Sequence, residues 1–242
     1  MYGTLARIGL LVPSTNTVVE MEFHCMAPPG VSVHSTRLYQ PETDDPDKKI
    51  ATVLEMHKRL DDATRELVSF GPSVIAYGCT AGSFLKGAEE DQAMCDRMTA
   101  QAGVPFLTTS SAVVQALACL RVKSIAMATP YIDRVNEHEK AYLAQFGLNV
   151  VAMKGLGIVG NLPKGRLEPT VAADLARAVD CSAAEAIFIS CTNLRTIEVI
   201  ESLERELGKP IVTSNQATFW AALRRSQYQQ ALGGYGQLLT RF

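Results

Sequence analysis

Short runs of apolar and β-branched residues recur along the chain at 5–12, 31–37, 73–77, 104–107, 123–128, 148–153, 185–190 and 210–213. Near-continuous runs of this length predict strands buried on both faces, as parallel strands are. The stretches between them carry a helical period instead. Over 131–146, for example, Ile132, Val135, Tyr142, Leu143 and Phe146 fall on one face, and Gly147 supplies a stop. Strands alternating with helices throughout predict an α/β fold with parallel sheets.

The pattern is written twice. A strand ending at a proline occurs in RIGLLVPSTN and again in SIAMATPYID; one ending in Cys-Thr occurs in SVIAYGCTAGSF and AEAIFISCTNL; and GVPFLTTSSAVVQAL is answered by GKPIVTSNQATFWAAL. The landmarks keep their order, at offsets of 117 (Pro13 to Pro130), 112 (Cys79 to Cys191) and 105 (Gly103 to Gly208). Such repetition predicts duplication of a unit of about half the chain. Two α/β halves, related by a pseudo-twofold axis, would then face each other across a cleft. The first is expected over 1–112 plus 214–242, because the helix after Thr213 should return to it, and the second over 113–213. Ligands of open α/β sheets bind beyond the carboxyl ends of the strands, where Pro13, Cys79, Ser110, Pro130, Cys191 and Ser214 all lie.

Composition narrows the function classes. The chain has 242 residues, 23 basic against 25 acidic, and a net charge of -2, so there is no field to hold nucleic acid or an anionic membrane. No apolar run approaches the roughly 18 residues of a membrane span, and the N-terminus lacks the pattern of a secretory signal, so a cytoplasmic protein is expected. The six cysteines form no CxxC pair, and the four histidines form no HExxH or zinc-spaced cluster, which predicts free thiols and no metal site.

The repeated Cys-Thr junction carries the chemistry. A cysteine at a helix N-terminus feels unpaired N–H groups and the positive end of the macrodipole, which predicts a lowered thiol pKa at Cys79 and Cys191. The same N–H groups, with the hydroxyls of Thr80 and Thr192, predict a carboxylate site. Against this, a free cysteine often packs as a small hydrophobe, which is the reading given to Cys25, Cys95, Cys119 and Cys181. Asn16 is either a helix cap or a ligand-binding residue, Tyr131 a half-buried aromatic or a ligand contact, and Asn161 a turn residue by its Gly/Pro-rich surroundings. Lys86, Arg195 and the EHEK run read as solvated helix faces.

Together VPSTNT, YGCTAGSFLKG, ATPYIDRVNE, GLGIVGN, FISCTNL and GKPIVTSNQATFWAAL make nearly the whole chain resemble the aspartate/glutamate racemase superfamily. Within it the chain is similar to the branch of maleate cis-trans isomerases and arylmalonate decarboxylases. That resemblance implies two flavodoxin-like halves around a cofactor-independent site for a small dicarboxylate, with a homodimer as the expected assembly, if any. It implies catalysis by Cys79, adding covalently to maleate, and Cys191, acting as acid and base. It also implies substrate binding by Asn16, Thr80, Ala81, Tyr131, Asn161 and Thr192. Arylmalonate decarboxylases are glycine-like at the first cysteine and carry a serine where this chain has Ala81, so any contact there falls to the Ala81 backbone N–H. The alternatives are a two-cysteine racemase of a small amino acid or hydantoin, a decarboxylase of a malonate-type acid, and a non-catalytic small-acid binding protein.

Overall fold

A computed structural model describes residues 2–242 and contains two four-stranded sheets. The first is built from β1 (Ala6–Pro13), β2 (Val31–Leu38), β3 (Val74–Tyr77) and β4 (Phe106–Thr108) in the order β2-β1-β3-β4. The second comprises β5 (Ser124–Thr129), β6 (Asn149–Gly155), β7 (Ala186–Ile189) and β8 (Ile211–Thr213) in the order β6-β5-β7-β8. Every pairing is parallel. The eight strands fall on the eight apolar runs, and the shared order shows the duplication directly. VIAY of β3 and AIFI of β7 are buried throughout because each lies inside its sheet, between two strands and under helices. The outer strands β2 and β6 bury fewer positions.

The repeat extends to individual hydrogen bonds. Thr108 and Thr213 each end a strand and cap the following helix with a reciprocal box: Thr108 with Ser111, Thr213 with Gln216. A cap of this kind contributes about 1 kcal/mol. The two helices so started, Thr109–Cys119 and Ser214–Arg225, pack on each other between the sheets, and the Thr218 hydroxyl donates to that of Thr109 at 3.1 Å. Counterpart helices meeting in this way place the strand ends of both halves at one cleft.

Two expectations need correction. Helix Asp133–Ala144 buries Val135, Tyr142 and Leu143 as its period predicts, but Phe146 is 46% exposed. The helix has ended by Gln145 and the chain reverses at Gly147, which takes φ 74°. Within the EHEK run, Glu139 is buried rather than solvated and accepts a hydrogen bond from the Ser190 hydroxyl at 2.6 Å. No helix among the described residues is long and apolar enough to cross a membrane.

Candidate active site

Cys79 follows β3 and caps the helix Thr80–Phe84, its sulfur accepting from the Gly82 N–H at 3.3 Å. Gly82 is required there, because a Cβ would run into the Tyr77 hydroxyl beneath it. The expectation of a lowered thiol pKa is overturned. Burial pushes the Cys79 thiol up to about 11, with the Gly82 N–H, the Tyr77 hydroxyl and Lys49 opposing it only in part. The helix has five residues, so its dipole is small against the cost of desolvating a thiolate.

Cys191 departs further from expectation, for no helix follows it. After β7 the chain turns through Thr192 and Asn193 and becomes helical again only at Ile200. Cys191 takes φ 125°, a conformation that costs a non-glycine residue on the order of 1–3 kcal/mol. Its backbone N–H donates to Ser214 Oγ at 3.0 Å, and its sulfur accepts from the Asn193 N–H at 3.3 Å. Ser214 Oγ also accepts from Thr80 Oγ1 at 3.1 Å, so one hydroxyl ties the two cysteine loops together. Burial raises the Cys191 thiol as well, opposed by Lys164, the Tyr131 hydroxyl and the Asn193 N–H.

Both cysteines line a single cleft, whose empty space is about 490 Å³ with its open mouth included. Asn16, Thr80, Ala81, Tyr131, Asn161 and Thr192 line it too, so the fold brings all eight predicted site residues together. Asn16 caps the next helix, as one of its readings has it, and lines the cleft as well. Its Oδ1 accepts from the N–H groups of Val18 and Val19 at 2.9 and 3.0 Å, capping the next helix, while its Nδ2 donates to Thr192 Oγ1 at 3.1 Å. Asn161 begins the short helix Asn161–Gly165 and donates to Thr15 Oγ1 at 3.0 Å. Tyr131 is buried directly after β5. Lys86 is exposed, and Arg195, on a loop and not a helix, pairs with Glu198 and Glu168 away from the cleft.

Sequence reasoning missed two cations in the cleft. Lys49 is 5% exposed and its Nζ donates to Asn161 Oδ1 at 2.7 Å; Lys164 is 2% exposed and donates to the Val159 carbonyl at 3.1 Å. The Lys164 ammonium also lies 5.1 Å from the centre of the Tyr131 ring. Desolvation lowers both lysines, Lys164 to about 8 with Lys49 adding to the effect, which leaves Lys164 mainly cationic at neutral pH. Two signals pointed to them: Lys49 and Val53 share a face at i, i+4, and Lys164 follows Asn161 by three residues. Asn193 was also overlooked. It links the halves by accepting from the Thr17 N–H at 3.0 Å and donating to the Asn161 carbonyl at 2.8 Å. Among the described residues no Asp or Glu lines the cleft, and no group of three His, Cys, Asp or Glu is placed to hold a metal ion.

The chain matches the arylmalonate decarboxylase family over residues 8–239. It is 37% identical to the arylmalonate decarboxylase of Bordetella bronchiseptica over 180 residues, 73% of this chain and 75% of that one. It is 30% identical to the maleate isomerase of Nocardia farcinica over 246 residues, 97% of this chain and 96% of that one. Among solved structures, a mutant of the Nocardia farcinica maleate cis-trans isomerase with a covalently bound succinylcysteine intermediate superposes with a TM-score of 0.91 at 26% identity, covering 98% of this chain and 99% of that one. A liganded double mutant of arylmalonate decarboxylase superposes with a TM-score of 0.87 at 30% identity, covering 97% and 98%. With the paired sheets, the duplicated junctions and the two thiols on one cleft, these similarities establish that the chain belongs to the arylmalonate decarboxylase family.

Proposed function

We propose that the protein is a cofactor-independent isomerase that converts maleate to fumarate through covalent addition of Cys79. The observation that carries this reading is the presence of two thiols, one from each half, on the walls of one cleft. In the reacting state Cys79 is the thiolate and Cys191 the thiol. The Cys79 sulfur bonds to C2, the π pair moves to C3, and C3 takes the proton of Cys191. After rotation about the new single bond, Cys191 recovers the proton from C3, the double bond re-forms, and the pair of the C–S bond returns to Cys79. Atoms and charge are thereby restored, and no redox step occurs.

The raised thiol pKa sets the energetic demand. With a pKa of about 11, only about one Cys79 in ten thousand is ionised at pH 7, a cost of about 5 kcal/mol. Lys49, the Gly82 N–H and the Tyr77 hydroxyl all favour the thiolate, and without them that cost would be larger still. The thiolate so formed is strongly nucleophilic because it is poorly solvated. The substrate carboxylates are held by Asn16, Tyr131, Asn161, the hydroxyl of Thr192, and the backbone N–H groups at Thr80 and Ala81, while the Thr80 hydroxyl is engaged with Ser214.

A racemase would use the same thiols as paired acid and base, but the amino group of an amino acid would find no carboxylate in the wall. A malonate decarboxylase needs one proton donor and leaves Cys79 without a task. The test is an intact-mass measurement on the Cys191→Ala variant incubated with maleate. The expected product is a protein heavier by one maleic acid, with the label mapped to Cys79. A chain of unchanged mass, or a label confined to the other cysteines, would reject covalent addition.

A further inference from the structure

Lys49 and Lys164 are the two cleft charges that the bond-making steps leave unused. They come from opposite halves, Lys49 from the helix Lys49–Glu55 and Lys164 from the helix Asn161–Gly165, and both reach the Asn161 side of the cleft. An ammonium has three N–H donors, and each lysine makes one hydrogen bond to protein, to Asn161 Oδ1 and to the Val159 carbonyl. Neither forms an ion pair among the described residues. Glu42 instead accepts from the backbone N–H groups of Asn161 and Leu162 at 2.6 and 2.9 Å. Glu42 and Asp44 act on Lys49, and Glu42 on Lys164, only from a distance, and two buried ammonium groups with spare donors and no direct ion pair form a costly arrangement that an anionic ligand relieves.

We infer that Lys49 and Lys164 form a carboxylate-binding pair that makes the cleft selective for dicarboxylate dianions over monoanions of the same size. The inference rests on the reading of the cleft as the site for a small dicarboxylate and adds the residues that read its second charge. Asn161 gains a definite part: by accepting from Lys49 it points that ammonium across the boundary between the halves. The pair also bears on the reaction. A carboxylate gripped by two ammonium groups resists leaving as carbon dioxide, because decarboxylation moves its negative charge onto carbon and away from the cations. An ammonium-bearing amino acid is repelled by the same charges. The cleft thus keeps both carboxylates of its substrate and excludes zwitterions.

Calorimetric titration with succinate and with its monoamide, succinamate, tests this without requiring turnover. The protein is expected to prefer succinate by about tenfold or more, the scale of a desolvated charge contact. Lys49→Met and Lys164→Met are each expected to cut that preference at least about fivefold while changing succinamate affinity little, and Lys164→Arg to restore much of it. Lys→Gln versions serve should either methionine variant lose its cooperative melt. A protein that binds the two ligands equally, or variants that keep the full preference, would overturn the proposal. Discrimination through these lysines without conversion of maleate would refute the isomerase reading alone, and conversion with discrimination untouched by both variants would refute the lysine pair alone.

Discussion

Cys79→Ser is expected to lower kcat for maleate isomerisation by about four orders of magnitude or more, with KM changed by only a few-fold. A serine hydroxyl is nearly isosteric, so the packing against Tyr77 and the acceptor for the Gly82 N–H persist. What is lost is the ability of the side chain to ionise, to attack a π bond and to leave again. A ten-thousandfold loss corresponds to about 5.5 kcal/mol of transition-state stabilisation. Cys191→Ser is expected to be equally slow at turnover but to retain addition, so a covalent species accumulates on Cys79 where the wild type clears it. Steady-state kinetics of the two variants check this. A Cys79→Ser protein within tenfold of the wild type would remove Cys79 from the mechanism.

The unfolding free energy is expected to fall as pH rises from about 5 to 8, the reverse of the acid sensitivity usual where buried carboxylates are ion-paired. The cause is Glu139. Burial pushes its carboxyl up to about 8 from 4.5, and only the Ser190 hydroxyl bonds to it, leaving Oε2 without a partner. Between those two values Glu139 binds more protons in the folded chain than in the unfolded one, so its contribution to stability is lost as pH climbs through the window and is level above it. Integrated, Glu139 alone accounts for about 2–5 kcal/mol. Two further carboxyls act in the same direction. Burial raises Glu22 to about 7, although the N–H groups of Thr196 and Ile197 and the Asn215 amide bond to it, and it raises Asp91 to about 6. Glu139→Gln, which mimics the neutral acid, is expected to fold, to flatten the profile and to exceed the wild type in stability at pH 8. Urea titrations over that range decide the matter; a stability that rises with pH, or a variant with the wild-type slope, would contradict the assignment.

The parts of this protein legible in its sequence are those set by local pattern. Buried runs such as VIAY and AIFI announce strands because parallel strands are apolar on both faces, and the recurring proline, Cys-Thr and Gly-x-Pro junctions announce the duplication. Once two such halves meet at their strand ends, the convergence of Cys79 with Cys191 follows from symmetry. Other features were hidden because burial depends on what the chain packs against. Lys49 lies in DDPDKKIATV, a run that reads as surface, and becomes buried only when Asn161 of the second half closes over it. Glu139 sits between exposed neighbours on its helix but faces Ser190, the residue before Cys191. The thiol pKa failed for a related reason. A helix dipole can be read from a strand-to-helix junction, but the desolvation that outweighs it depends on the whole wall of the cleft. The φ of Cys191 had no local signature at all.

The most direct test of the central claim is a proton NMR time course of maleate with the protein in deuterium oxide, run beside aspartate and phenylmalonate. The account predicts that the maleate vinyl resonance is replaced by that of fumarate without added cofactor, while aspartate gains no α-deuterium and phenylmalonate loses no carboxylate. Maleate left unchanged while deuterium enters aspartate, or while phenylmalonate is decarboxylated, would contradict it.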